Sequence, residues 1–164
     1  MPTESINPKG IKKLSREIII YNEENKLESE IIFIKIKNGN ISTFYGIIKN
    51  LDDHFSGGEY IIEITISKDY PFSAPKFKFL TPNGIFQPNV FPCVNVGHFH
   101  AGAWNPSFTI KSFIRSIVGL MLCTDMIRGI AILTPDIDNI TKLAKNSKKY
   151  NRNVHMDLIS LFEE

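Results

Sequence analysis

Apolar and polar residues recur with different periods along the chain, and these periods separate strands from helices. Four segments have the alternation or the composition of strands: residues 30–37, 44–49, 60–66 and 76–80. The last is the clearest, because Phe77 and Phe79 alternate with Lys76 and Lys78. An Asn-Gly pair at 38–39 favours a hairpin after the first strand. Consecutive strands with short turns predict a four-stranded antiparallel meander.

Helical periodicity precedes and follows these strands. A helix beginning at Pro8 has apolar residues at positions 11, 14, 18 and 21. A second helix, residues 109–122, carries a stripe that we expect to be buried: Ile110, Phe113, Ile114, Ile117 and Met121. After Pro135, a third helix has this apolar spacing at Ile140, Leu143, Ala144 and Ser147, and a short fourth helix at Val154, Leu158 and Phe162. The order predicts an α+β domain over residues 1–164.

Composition narrows the class of protein. The 164 residues are 43% hydrophobic and 22% charged, with a net charge of +2, which is typical of one globular domain. The lysines are scattered, so we expect no nucleic-acid partner. The N-terminus lacks a signal pattern, and the apolar run 113–123 is interrupted by Arg115 and too short to span a bilayer. Two cysteines do not suggest a disulfide framework, so we expect a cytoplasmic protein.

A long irregular segment, residues 81–107, separates the last strand from the second helix and contains Cys93. Segments of this kind are usually functional, and a thiol displayed on one is a candidate nucleophile. Cys123 falls at the end of an apolar helix, and we interpret it as a packing residue.

The motifs on both sides of Cys93 resemble those of the ubiquitin-conjugating enzyme family across nearly the whole chain. The Tyr-Pro-Phe-x-x-Pro pattern is at 70–75, an aromatic-x-Gly-Gly turn at 55–58, and Trp-x-Pro at 104–106. Cys93 stands where the family has its thioester cysteine. The irregular segment is therefore expected to be the active-site loop, between the meander and the C-terminal helices.

One branch of the family, associated with degradation at the endoplasmic reticulum, is the most similar. It has Thr-Pro-Asn-Gly in place of His-Pro-Asn, with its asparagine ten residues before the cysteine, and Asn83 of the 81–86 segment is in that register. The step from Cys93 to Trp104, Phe99-His100 and the late Leu-Ala-x-x-Ser at 143–147 also match. Departures are Ile85 for an arginine and altered residues flanking Cys93.

Members of this branch usually continue into a C-terminal membrane anchor. This chain stops at Glu164 without one, so we expect either a soluble relative or a truncated chain. With an anchor, the location would be the cytosolic face of the endoplasmic reticulum.

The resemblance implies a two-step acyl transfer. Cys93 would take ubiquitin from an activating enzyme as a thioester, and a substrate lysine would then attack it with the help of a ligase. A serine or threonine hydroxyl is an alternative acceptor, and another ubiquitin-like modifier an alternative cargo. No cofactor is implied, since ATP is used by the activating enzyme. The apolar neighbours Phe91, Pro92 and Val94 predict a desolvated thiol.

An amide aimed at the transition-state oxyanion would assist the second step. Asn83 is the candidate by register, with a plain turn residue as its alternative, and Asn89 is the fallback. Asp125 is the nearest downstream carboxylate that could orient the lysine.

His98 and His100 allow two other interpretations of the loop. One is a Cys-His nucleophile pair, and the other is a metal site with Cys93 and Cys123. The spacing matches no standard zinc pattern, so we expect no metal, and His100 is interpreted as a loop hydrogen-bonding residue.

Partner surfaces also follow from the resemblance. On the first helix, Lys12, Lys13 and Arg16 correspond to a patch for the activating enzyme, unless they form only a solvated face. Two loops correspond to the ligase-docking loops: they contain Phe72, Pro106 and Ser107. Core packing is the alternative for Phe72. The rival function is a non-catalytic variant of the fold that binds ubiquitin or scaffolds a ligase.

Overall fold

The computed structural model describes residues 6–24, 35–36, 39–94, 103–123 and 129–164. The helices are α1 (Pro8–Glu24), α2 (Ile110–Leu122), α3 (Ile137–Val154) and α4 (Met156–Glu163). The strands are β1 (Lys35–Ile36), β2 (Thr43–Lys49), β3 (Glu59–Thr65), β4 (Lys76–Phe79), β5 (Cys93–Val94) and β6 (Gly129–Ile130).

Strands β1 to β4 form one antiparallel sheet in chain order, so the predicted four-stranded meander is confirmed. At its centre Ile62 lies opposite Gly46 of β2 and Phe79 of β4. The alternation in β4 is as predicted, with Phe77 and Phe79 buried and the two lysines more exposed. Of the first predicted strand, residues 30–34 and 37 lie outside the described residues.

Helix α2 packs its apolar stripe against the inner face of the sheet. All five predicted stripe residues are buried, together with Leu120. Thr109 lies just before the helix, where its hydroxyl accepts a hydrogen bond from the Ser112 amide. The Thr109 backbone amide donates in return to the Ser112 hydroxyl oxygen, and this capping box fixes where α2 begins.

Helix α1 is rotated slightly from the predicted orientation. Leu14, Ile18 and Tyr21 are buried as expected, but Ile11 is 36% exposed and Gly10 is buried instead. A Cβ atom at Gly10 would lie 2.2 Å from the Tyr70 carbonyl oxygen, so a glycine allows the helix to approach that turn.

The outer face of the sheet has a smaller apolar cluster of its own. Leu158 and Ile159 of α4 pack on Ile47, Ile61 and Leu80. The prediction that Val154 belongs to the last helix is wrong. It ends α3 and is 54% exposed, because the chain turns at position 155 before α4 begins.

None of the helices in the described part of the chain is long and apolar enough to cross a membrane.

Candidate active site

Cys93 is held by a small layer of strands at the edge of the main sheet. Residues 129–133 lie between two other segments. On one side the backbone N–H of Leu133 donates to the Ile85 carbonyl oxygen at 2.8 Å, and the backbone N–H of Gln87 donates to the Ala131 carbonyl oxygen at 2.9 Å. On the other side β6 pairs with β5, which places Ile130 directly opposite Cys93. The predicted irregular loop therefore contains a short pairing that local periodicity does not indicate.

The thiol of Cys93 is free and exposed. Of the apolar neighbours, Phe91 is itself 41% exposed and Pro92 is half-buried, and the side chain of Val94 lies outside the described part of the structure. The expected desolvation of the thiol is therefore wrong. The Lys78 ammonium lies 4.9 Å from the centre of the Phe91 ring. The two residues are far apart in the sequence, so the sequence alone does not predict this contact.

Asn83 is fully buried and closes the turn that precedes the site. Its side-chain oxygen accepts hydrogen bonds from the amides of Ile85 (2.9 Å) and Phe86 (2.8 Å). Its amide nitrogen donates to the Thr81 carbonyl oxygen at 3.1 Å. These are the bonds of an Asx turn, so the turn role is present. The catalytic role of Asn83 stays a prediction.

A buried network of polar side chains ties this turn to α3 and the sheet, and the apolar periodicity of the sequence does not predict most of it. The Thr81 hydroxyl donates to the Asn151 side-chain oxygen at 2.6 Å and accepts from the Ile61 amide at 2.9 Å. Asn151 also donates to the Glu59 carbonyl oxygen at 2.8 Å. The signal in the sequence that could have indicated this network is the presence of polar residues of α3 at the helical spacing of its buried stripe.

Asn89 lies nearer to Cys93 along the chain. It is exposed, its φ is 62°, and its backbone N–H donates to the Phe79 carbonyl oxygen at 2.8 Å. The bond joins the loop to the edge of β4, and the fallback role of Asn89 is likewise untested.

The two loops predicted to dock a ligase lie side by side. The Trp104 ring nitrogen donates to the Pro71 carbonyl oxygen at 2.8 Å, which joins the Tyr-Pro-Phe turn to the loop before α2. Phe72 is 72% exposed, so its core-packing alternative is wrong. Pro106 and Ser107 are also exposed.

The three basic residues predicted on α1 do not share one environment. Lys12 and Arg16 are exposed and one helical turn apart, with exposed Lys9 on the same face. Lys13 is only 28% exposed. Its ammonium bonds Glu17 and the Phe108 carbonyl oxygen, the latter at 3.1 Å, so it joins α1 to the loop before α2.

Glu17 connects three parts of the fold. It accepts from the Tyr70 hydroxyl at 2.7 Å and from the Ile110 amide, at the start of α2, at 3.4 Å. A carboxylate there compensates the positive end of the helix. Burial, and then the bond to Glu17, raise the pKa of Tyr70 far above its usual value.

Cys123 directly follows α2, at the helix end as predicted, but it is exposed and so is not a packing residue. The last buried residues of α2 are Leu120 and Met121. His98, His100 and Asp125 lie outside the described residues. Within those that are described, no group of three or more His, Cys, Asp or Glu side chains could hold a metal.

Several known proteins are similar to this chain. Ubiquitin-conjugating enzyme E2 6 of Schizosaccharomyces pombe is 29% identical over 154 residues, 93% of this chain and 66% of that protein. The Saccharomyces cerevisiae protein of that name is 32% identical over 131 residues, 78% of this chain and 52% of the relative. The Kluyveromyces lactis protein is 30% identical, and there the chain spans 43% of the relative.

Two solved structures share the fold. Human ubiquitin-conjugating enzyme E2 G1 has a TM-score of 0.58 and 25% identity, covering 73% of this chain and 99% of its own. A putative ubiquitin-conjugating enzyme from Plasmodium yoelii has a TM-score of 0.57 and 24% identity, covering 90% and 96%, and supports the fold alone. A model of the protein family described as "Ubiquitin-conjugating enzyme" also matches residues 13–157 of this chain. The chain therefore belongs to the ubiquitin-conjugating enzyme family.

Proposed function

We propose that this chain carries ubiquitin as a thioester on Cys93 and transfers it, with a ligase, to a substrate lysine. The observation that carries the proposal is an exposed thiol at the family's cysteine position, held on a paired backbone. An accessible sulfur is required, because a large protein must approach both it and the acyl carbon.

The proposed steps exchange one acyl bond at a time. The Cys93 thiolate attacks the carbonyl carbon of ubiquitin on the activating enzyme, a new C–S bond forms, and the activating enzyme leaves as a thiolate. The lysine nitrogen then attacks the same carbon, an amide forms, and Cys93 leaves while the amine loses a proton to solvent. A serine or threonine hydroxyl would follow the same course to an ester.

Asn83 is proposed to act on the second step. In the closed turn it fixes the backbone of residues 85–86, to which the segment 129–133 and thus Cys93 are tied. Contact with the oxyanion would require its amide to turn away from Thr81, so we assign Asn83 a positioning role first and an oxyanion role second.

The partner surfaces are proposals of the same kind. The face with Lys12 and Arg16 is proposed to meet the activating enzyme, whereas Lys13 contributes through the packing of α1. The joined loops of Phe72, Pro106 and Ser107 are proposed to meet a ligase, since an exposed aromatic beside exposed small residues suits a protein contact. The Thr-Pro-Asn-Gly register at residues 81–84 is the reason to propose the branch associated with the endoplasmic reticulum, and with it a location at the cytosolic face of that organelle.

The test is a thioester assay with activating enzyme, ATP and ubiquitin, run with and without reductant. Wild type should form a reductant-sensitive adduct, and Cys93→Ser a reductant-resistant ester. Cys123→Ser is the matched control, because it removes the other exposed thiol in the described part of the chain. It should load like wild type.

A reductant-sensitive adduct that is lost in Cys123→Ser but kept in Cys93→Ser would contradict the assignment. No adduct with ubiquitin, but one with another ubiquitin-like modifier, would change the cargo. Binding of ubiquitin without any adduct would favour the non-catalytic variant.

A further inference from the structure

An apolar side chain faces solvent directly opposite Cys93. In the β5–β6 pair Ile130 is the cross-strand partner of Cys93, and Ile130 is 71% exposed. Directly opposed residues of an antiparallel pair project to the same side, with Cβ atoms about 5 Å apart. The other residue of β6, Gly129, faces the opposite side because successive strand residues alternate, so Ile130 supplies the side chain of β6 on the face of Cys93.

A bend in the backbone turns Ile130 outward. Ala131 has a φ of 63°, a left-handed conformation that a residue with a Cβ atom seldom adopts. In a regular strand Ile130 and Ile132 would project to one side. Because of the bend, Ile132 bridges to Phe86 and packs against the core, while Ile130 remains beside the thiol in solvent.

Strained residues of this kind persist where the surrounding structure holds them, and they are concentrated at functional sites. Here the two neighbours of Ala131 are fixed on opposite sides, Ile130 by β5 and Ile132 by Phe86. The bend therefore has a local consequence: it leaves an isoleucine uncovered beside the reactive sulfur.

We propose that Ile130 packs against the acyl segment joined to Cys93 and shields the thioester from water. The inference rests on the proposed function, since it requires the thioester. An acyl group on the sulfur begins within contact distance of a side chain about 5 Å away at Cβ. Contact between the acyl group and Ile130 removes the exposed isoleucine side chain from water, and the hydrophobic effect favours this burial.

The reaction opposed by this contact is hydrolysis. Water oxygen adds to the thioester carbon, the C–S bond breaks, and the products are the free carboxylate of ubiquitin, a proton and the Cys93 thiol. Ile130 takes no part in proton transfer or in the departure of the sulfur. It is a positioning residue that holds the acyl segment and excludes water.

The experiment loads wild type and Ile130→Ala with ubiquitin, removes ATP, and follows loss of the thioester without an acceptor. We expect loss about fivefold faster in Ile130→Ala, because part of an isoleucine's apolar contact is removed. Ile130→Leu should restore the slow rate. Ile19→Ala is the matched control, since Ile19 is 65% exposed on α1. Alanine and leucine add no nucleophile beside the thioester.

The outcomes separate the inference from the proposed function. If wild type forms no thioester, both are overturned. If wild type loads but Ile130→Ala loses ubiquitin at the wild-type rate, the shielding role alone is overturned. Equal thermal midpoints of the two proteins show that the fold is retained, and Ile130→Asn is a second variant if alanine disturbs the pairing. Faster loss in Ile19→Ala as well would also overturn the inference, because the effect would not belong to the site.

Discussion

The hydroxyl of Tyr70 and the carboxylate of Glu17 form a 2.7 Å hydrogen bond between the Tyr-Pro-Phe turn and helix α1. Tyr70→Phe should lower the free energy of unfolding by about 2 kcal/mol, because it removes a bond to a charged acceptor in a buried site. Urea denaturation at neutral pH measures the loss. Glu17→Gln keeps an acceptor and should cost less than Glu17→Ala; equal stability of Tyr70→Phe and wild type would contradict the role.

Buried tyrosines also predict the alkaline limit of stability. Burial raises the pKa of Tyr60 and of Tyr70 above the ordinary value of about 10. The neutral phenols thus favour the folded state. Their stabilisation is complete below about pH 10 and is lost as the pH rises, by about 1.4 kcal/mol per pH unit for each group. Unfolding free energies measured from pH 8 to 12 should fall less steeply in Tyr60→Phe.

At neutral pH the same Tyr60→Phe variant should be more stable than wild type. The Tyr60 hydroxyl is buried, and no hydrogen-bond partner for it is found among the residues that the structure describes. Removing it should raise the free energy of unfolding by about 1 kcal/mol, while the edge-to-face contact with Phe55 is kept. A destabilised variant at pH 7 would show that the hydroxyl has a partner.

Replacing Gly84 tests how tightly the turn before the site packs against α3. Its φ is 88°, and a Cβ atom there would lie 2.7 Å from Cγ1 of Ile140 in α3. Gly84→Ala should therefore cost about 3 kcal/mol, from backbone strain and overpacking together. Gly39→Ala is the control, because Gly39 has a φ of 69° but open space around it. It should cost only about 1 kcal/mol, and equal costs would exclude the steric contribution.

The proposed role of the basic face of α1 predicts an effect on the rate of ubiquitin loading. Replacing Lys12 and Arg16 together by alanine should slow ubiquitin loading by activating enzyme, most strongly at low salt, with stability within about 0.5 kcal/mol of wild type. Lys142 and Lys145 are exposed on α3 and provide a control of equal charge. Equal slowing in both double variants would indicate a general charge effect and not a docking face.

The rates of loading and discharge in one Asn83 variant separate the two proposed roles of this residue. Asn83→Ala leaves the amides of Ile85 and Phe86 without their acceptor, so it should lower stability and slow both loading and discharge. If the amide also meets the oxyanion, discharge to free lysine should slow far more than loading, by about 100-fold. Single-turnover rates of the two steps, measured below the thermal midpoint, distinguish these outcomes.

The sequence predicted the features of the fold that depend on the local periodicity of apolar residues. Ile110 and Met121 of α2 could be placed in the core because a helix brings every third or fourth residue to one side. The pairing of Cys93 with Ile130 could not be predicted, because two paired residues leave no period and the partner is distant in the chain. The exposure of Cys123, just after the end of α2, and the bond of Lys13 to the loop before α2 depend on tertiary structure, which apolar spacing does not resolve.

The sheet, covered on both faces, has a consequence for how β3 finds its alignment. Tyr60 and Ile62 belong to one cluster and Ile61 to the other, so this run of apolar residues could be accommodated after a shift of one position. A shift would, however, carry Glu63 from its ion pair with Lys78, 3.3 Å away, into the inner core. Since one-residue slips exchange the two faces of a strand, the register of β3 is specified by a charge at the centre of the sheet.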